Sequence, residues 1–312
     1  MAAIVIATMI VACVVLALAL SFVSLPGSDS GESAESTATV SDVQTYEETT
    51  VSVLDVDQGQ AVLVVTGDGS AALIDAGRSQ ERIREEIEPY VRSLGVSSLD
   101  YLILSHPDQD HVGGMPQVFE SFDVGTWVDP GIPTTNQTYE ESVEIVLERN
   151  IPAILARKGE MLSLGPSTTL TLLWPEDDFI LDGSEPDSNE NSAVVLVTVG
   201  DIDILITGDL EDEGEANLVE QMGAGLESEI LVVGHHGSNS SSTPGFLDAV
   251  NPETAIISVG EDNPYGHPHD EVIQRLRFRD IDIYRTDLDG TIEIHVDGDS
   301  YDIDTVETDP GT

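Results

Sequence analysis

Ser105-His106-Pro107-Asp108-Gln109-Asp110-His111 follows directly on the apolar run Tyr101-Leu102-Ile103-Leu104. Two imidazoles and two carboxylates are thereby packed into one short stretch at the end of an expected strand. A cluster of nitrogen and oxygen ligands without a thiolate suits Zn²⁺, Mn²⁺ or Fe. In a chain this acidic, Asp108 and Asp110 alone would be ordinary surface residues. Two of only seven histidines falling beside them is not explained by acidity, and the pattern reads as a metal site.

Three further polar clusters follow strand-like runs elsewhere. Ala71-Ala72-Leu73-Ile74 leads into Asp75-Ala76-Gly77, and Ile204-Leu205-Ile206 into Thr207-Gly208-Asp209. Ile230-Leu231-Val232-Val233 leads into Gly234-His235-His236-Gly237-Ser238. Ligands at strand ends sit on rigid supports while the loops leave room for substrate. An aspartate between two metal positions can bridge them, which suits Asp209. Gly208 and Gly237 would let backbone approach closely. Asp75 reads either as a turn residue or as a support for a ligand.

The chain carries 59 aspartates and glutamates against 11 lysines and arginines, a formal charge of −48. Its apolar fraction of 40% excludes a disordered acidic tail as the whole explanation. Acid spread evenly through a folded, lysine-poor chain is the surface expected of a halophile. Molar salt shortens the Debye length to about 3 Å and screens the repulsion. The charge therefore says little about substrate. Cys13, the only cysteine, lies outside the expected folded part, which excludes an intrachain disulfide and cysteine chemistry there.

The uncharged apolar run Ala2 to Leu25 exceeds the roughly 20 residues that span a bilayer. It reads as a membrane anchor in preference to a cleaved secretory signal, which usually has a basic start and a shorter apolar core. The expected topology places the C-terminal part outside the cell, with secretion as the alternative. Residues 26–50 read as a flexible linker, residues 51–304 as the folded domain, and residues 305–312 as an acidic tail. Within the domain, β-branched runs predict strands at 51–56, 61–66, 71–74, 101–104, 169–173, 193–199, 202–206, 229–233, 254–259, 281–284 and 291–296. Gly200-Asp201 reads as a hairpin loop. Helices are expected at 138–149, 211–222 and 268–279. Another is marked by Ile83, Ile87, Val91 and Leu94, bent or shortened by Pro89 and closed by Gly95. Such an order describes a layered α/β protein with large mixed sheets.

The succession Asp-Ala-Gly, His-x-Asp-x-Asp-His, Thr-Gly-Asp and His-His-Gly-Ser resembles the metallo-β-lactamase superfamily. More closely it resembles the hydrolase-like domain of competence (ComEC-type) DNA-uptake proteins. The resemblance runs from about Val51 to Val296. Supporting stretches are Leu54-Asp55-Val56-Asp57-Gln58-Gly59-Gln60-Ala61, Asn189-Glu190-Asn191-Ser192, Ile256-Ile257-Ser258-Val259-Gly260 and Asn263-Pro264-Tyr265-Gly266-His267-Pro268.

The resemblance implies a four-layer αββα sandwich holding one or two divalent metals, Zn²⁺ or Mn²⁺, at the edge between its sheets. His106 and Asp108 would hold one, Asp110 and His111 the other, with Asp209 bridging and His235 or His236 completing the second. Asp108 stands where the superfamily has a second histidine, and no histidine lies between His111 and His235. Asn189, Asn191 and Ser192 occupy the region of the usual middle histidine. An oxygen-rich first position shifts preference from Zn²⁺ toward Mn²⁺. Asp57 and Gln60 stand where the competence relatives generally have Gly and Asp.

The resemblance also places His267 near the mouth of the site, where it would contact substrate or donate a proton; otherwise it is a turn histidine. His269 reads as a turn or capping residue. Arg275, Arg277 and Arg279 are expected to pair with neighbouring carboxylates and not to form a phosphate patch. The expected activity is hydrolysis of a phosphodiester, with single-stranded or degraded DNA outside the membrane as the expected substrate, by metal-activated water, with Asp110, Asp209 and His267 as catalytic residues. Other ester, lactone or β-lactam bonds are the enzymatic alternative, and a surface-anchored binding module with a degenerate metal site is the non-enzymatic one. Membrane is the only further partner implied; no protein partner is.

Overall fold

The computed structural model describes residues 48–306. The expected anchor at residues 1–25, and the linker up to residue 47, lie outside them. Two boundaries move. The first strand opens at Thr49, inside the expected linker, and the last runs to Val306, inside the expected tail.

Two sheets carry the fold. The first has eight strands in the order Ser300–Val306, Thr291–Asp297, Thr49–Val53, Val62–Thr66, Ala71–Ile74, Ser98–Ile103, Asp123–Asp129 and Ala153–Leu155. The second has seven, in the order Asp282–Arg285, Thr254–Ile257, Ile230–Val232, Ile202–Ile206, Val194–Val199, Thr168–Trp174 and Met161–Leu164. Each sheet joins an antiparallel half to a parallel half, as helices intervene between some strands and hairpins between others. Gly200-Asp201 is the hairpin loop expected, with Val199 opposite Ile202.

Strand periodicity explains the layering. Val51, Val53, Val62, Val64, Ile204, Ile206, Ile230 and Val232 point into one core shared by the two sheets. Their alternates Leu63, Leu73 and Leu102 face a second core under the helices of the first sheet. Leu205 and Leu231 face a third core under those of the second. Burial on both faces gives continuous β-branched and apolar runs in place of alternation. Helices at Met115–Ser121 and Gln137–Arg149 cover one side. Asp212–Met222, Pro244–Val250 and Asp270–Arg277 cover the other. The result is an αββα sandwich.

The helix marked by Ile83, Ile87 and Val91 survives Pro89 by widening. A π-helical segment, Ile83–Ile87, precedes Pro89, and the Glu88 N–H reaches back to the Ile83 carbonyl. Pro89 then sits in the first turn of Glu88–Ser93, where its missing N–H costs little. Among the described residues no helix is long and apolar enough to cross a membrane.

Candidate metal centre

The polar clusters meet at one end of the sandwich, where the strands ending at Ile74, Ile103, Ile206 and Val232 deliver their following loops. Asp209 lies at the centre. One oxygen, Oδ1, is 3.1 Å from His111 Nε2 and 3.5 Å from His236 Nε2. The other, Oδ2, is 3.8 Å from His106 Nε2 and 3.7 Å from His235 Nε2. Asp110 Oδ2 lies 3.6 Å from His236 Nε2.

Each buried imidazole is oriented through its outer nitrogen. His111 Nδ1 donates to Asp75 Oδ2 at 2.7 Å, and His236 Nδ1 donates to the Ser258 carbonyl at 2.8 Å. Ser105 Oγ donates to Asp75 and lies 3.1 Å from His106 Nδ1, from which it accepts. These partners leave the Nε2 lone pairs facing inward. His106 Nε2, His111 Nε2, His236 Nε2 and Asp209 Oδ1 are buried and have no hydrogen-bond partner among the described residues. A fold leaves polar atoms in such a position when a further group satisfies them. His106, His111 and Asp209 form one set whose ligand atoms lie within 4.8 Å of one another, and Asp110, His111 and His236 form another. The donor set is nitrogen and oxygen only, which fits a divalent transition metal.

Electrostatics point the same way. Burial would raise the Asp209 carboxyl, but His111 and His236 outweigh it and hold it well below the usual range. Asp110 is likewise held down by the same two imidazoles against its burial. Burial would lower His111, yet Asp209 and Asp75 raise it well above an ordinary histidine. His106 is pushed down by burial and by His111. The buried Asp209 and the partly buried Asp110 thus attract a cation into this volume.

Local backbone brings the histidines in. His235 and His236 both adopt left-handed conformations, with φ of 50° and 54°, rare for two consecutive non-glycine residues. Gly208, at φ 55°, stands so close that a Cβ would meet that of Ser105 at 2.9 Å. At Gly237 a Cβ would meet Pro268 at 2.6 Å.

His106, Asp110, His111, Asp209 and His236 lie together, and His236 occupies the position beside Asp110. His235 is partly exposed, lies toward the other oxygen of Asp209, and is held by Glu211 at 2.8 Å. Asp108 sits at the rim, half-exposed, 4.0 Å from His106 Nε2 and accepting from Ser188 Oγ at 2.9 Å. His267 stands at the mouth, its ring 5.5 Å from that of His235. Burial and the neighbouring imidazoles push it down to about 4, so it is neutral near pH 7. Arg275 and Arg279 pair with Glu271 and Asp248, as expected, whereas Arg277 forms no ion pair among the described residues.

The region lacking the middle histidine has become support. Ser192 Oγ accepts from the Asp209 N–H at 3.2 Å, and Asn191 ties its loop to the Ile180 carbonyl at 2.8 Å. Gln60 donates to Asp75 at 2.9 Å. Ser105, Gln60, Glu211 and Arg78 received no role from the sequence. Ser105 and Glu211 carried one signal, adjacency to a ligand motif.

The family model for the metallo-β-lactamase superfamily matches residues 54–261. The chain belongs to the metallo-β-lactamase superfamily. It is 32% identical over 259 residues to ComE operon protein 3 of Bacillus subtilis, covering 78% of this chain. To Competence protein ComA of Neisseria gonorrhoeae it is 36% identical over 250 residues, covering 79%. The chain spans about a third of the length of these relatives, 32% of each. Among solved structures, CmlA, a diiron β-hydroxylase from Streptomyces venezuelae, superposes with a TM-score of 0.52 at 14% identity. It covers 81% of this chain and 55% of that one, a likeness of fold alone. The superfamily fold and the competence-type resemblance both stand.

Proposed function

We propose that the protein is a metal-dependent hydrolase of phosphodiester bonds. The observation that carries this is the convergence of buried, unpartnered imidazole nitrogens on a carboxylate that faces them with both oxygens. Asp110, His111, His236 and Asp209 would hold one divalent ion. His106 and Asp209 would hold the other, with His235 and Asp108 at its rim. A bound ion supplies Lewis acidity toward water and phosphate oxygens. The chain's own contribution is orientation: Asp75 and the Ser258 carbonyl fix the ring tautomers, and Glu211 fixes His235. His267, neutral and at the mouth, offers a hydrogen bond to substrate.

The phosphodiester choice rests on the relatives, one of them named as a competence protein and another as a recombination protein. Shared ligands alone serve many scissile bonds. A second reading, a binding module with one degenerate position, is favoured by Asp108 at the rim and the absence of a histidine between His111 and His235. Turnover of a single-stranded oligonucleotide, a simple phosphodiester and a β-lactam, run in parallel in molar KCl with Mn²⁺ or Zn²⁺, separates these readings. Loss of diester cleavage in both Asp110→Ala and His111→Ala supports the hydrolase; cleavage undiminished in both refutes it. Asp108→His should shift metal preference toward Zn²⁺, as imidazole replaces an oxygen ligand.

Residues 1–25 would anchor this domain to a membrane with the site outside the cell, in a high-salt setting that the charge of −48 suits. Full-length protein should sediment with membranes, and deletion of residues 1–25 should release it. A soluble mature form beginning near Ser21 would establish a cleaved signal instead.

A further inference from the structure

Arg78 follows Asp75-Ala76-Gly77, the loop that supports His111, and its guanidinium reaches over the mouth of the metal centre. Its Nη2 lies 3.1 Å from the Tyr265 hydroxyl and 4.0 Å from Asp110 Oδ2. Among the described residues it is the one arginine ion-paired to a residue of the candidate site. Arg82, Arg92, Arg149, Arg279 and Arg285 pair with carboxylates elsewhere. The Arg78 side chain is 44% exposed, and of its five N–H donors only those on Nη2 are engaged.

The backbone beneath it is fixed. Gly77 N–H donates to the Gln60 carbonyl at 2.9 Å, and its carbonyl accepts from Gly114 at 3.1 Å. Across the mouth, Tyr265 is 52% exposed, and its ring stacks on His267 at 5.7 Å with an interplanar angle of 27°. Asn263 pins that loop, donating to the His267 carbonyl at 2.7 Å and accepting from its N–H at 3.0 Å. A chain with a charge of −48 thus presents a guanidinium fork and an exposed aromatic face side by side, both on anchored loops at the mouth of the site.

We infer that Arg78 and Tyr265 form a lip that reads an unpaired nucleotide, the guanidinium holding a phosphate beside the one cleaved and the Tyr265 ring stacking on a base. The inference rests on the phosphodiester reading above and names its substrate class as single-stranded nucleic acid. A guanidinium matches phosphate geometry through paired N–H donors. Aromatic stacking is indifferent to base identity but requires the base to be free of a duplex. Since molar salt removes most of the affinity that comes from charge, the stacking platform supplies the larger share of recognition.

The test uses the full chain in molar KCl with Mn²⁺ and three DNA ligands of equal length: a single strand, its duplex, and a strand with abasic sugars throughout. KM for cleavage and fluorescence anisotropy for binding are read together, with metal content checked by elemental analysis. Wild-type protein should favour the base-bearing single strand over the other two by about tenfold or more. Tyr265→Ala should erase the preference over the abasic strand, and Tyr265→Phe should keep it. Arg78→Ala should weaken base-bearing and abasic strands alike, with partial rescue by Arg78→Lys, and metal content should not change. Both side chains are exposed, so these variants should fold. A wild-type protein indifferent to bases, or an unreduced preference in Tyr265→Ala, overturns the inference. Should no ligand be cleaved, the anisotropy comparison still decides it, while the hydrolytic reading fails separately.

Discussion

Asp75 Oδ2 lies 2.7 Å from His111 Nδ1, and both side chains are fully buried. The same carboxylate accepts from the Ser105 N–H, the Ser105 hydroxyl and Gln60 Nε2. Four donors therefore converge on a group that touches no metal position itself, yet sets the direction in which His111 presents Nε2. Through Ser105 it also sets the orientation of His106. Asp75 is a positioning residue for two candidate ligands at once.

Asp75→Asn should consequently weaken metal binding by about 10–100-fold. The substituted amide must turn an N–H toward one of the four donors, which leaves a buried mismatch. Competition with a chromophoric chelator would measure the affinity. An affinity equal to that of the wild type would remove Asp75 from the site.

Glu215 links pH to stability away from the metals. It is fully buried on the helix Asp212–Met222 and accepts from the N–H groups of Ser242 and Thr243. Burial pushes its carboxyl from 4.5 to about 7, against the opposing pull of those bonds. A carboxyl raised on folding binds more protons in the native state. Its contribution is fully present below about 4.5 and is lost as pH climbs through about 7. The loss is on the order of 3 kcal/mol. In Glu215→Gln the fall in melting temperature between pH 5 and pH 8 should shrink. The same fall in both proteins would show that Glu215 does not titrate in this range.

Removing salt should loosen the fold. At the end of the second sheet where Ile230, Thr254 and Asp282 open their strands, a cleft of about 610 Å³ is lined by Asp201, Glu229, Glu253, Asp282, Asp299 and Asp302. Among the described residues no lysine, arginine or histidine lines it. Repulsion there is screened within about 3 Å at 1 M salt and extends to about 30 Å at 0.01 M. Melting followed by circular dichroism should drop as KCl is withdrawn, and less so in Asp299→Asn with Asp302→Asn. A melting temperature level across the series would contradict a high-salt adaptation.

How much of this was legible in the sequence follows from what each feature depends on. Central strands such as Ile202–Ile206 and Ile230–Val232 are buried on both faces and announce themselves as apolar runs. Edge strands do not: Ser300–Val306 is largely exposed, with Ser, Asp and Thr between its apolar residues, and Ala153–Leu155 is too short to show a period. Asp123–Asp129 is interrupted by Gly125. The candidate ligands were readable because His106, Asp110 and His111 are neighbours in the chain. The choice of His236 beside Asp110 was not, since it follows from two left-handed residues and the Ser258 carbonyl. Gln60 and Ser192 reach Asp75 and Asp209 only through tertiary contacts that no local pattern encodes.

Metal stoichiometry of wild-type protein and of Asp209→Ala, both prepared at high salt and analysed for elements, tests the central claim most directly. Asp209 faces all four imidazoles of the centre, so the account predicts one or two divalent ions per wild-type chain and the loss of most of them in the variant. A wild-type chain that carries none, and whose melting is unmoved by added Mn²⁺ or Zn²⁺, would contradict it.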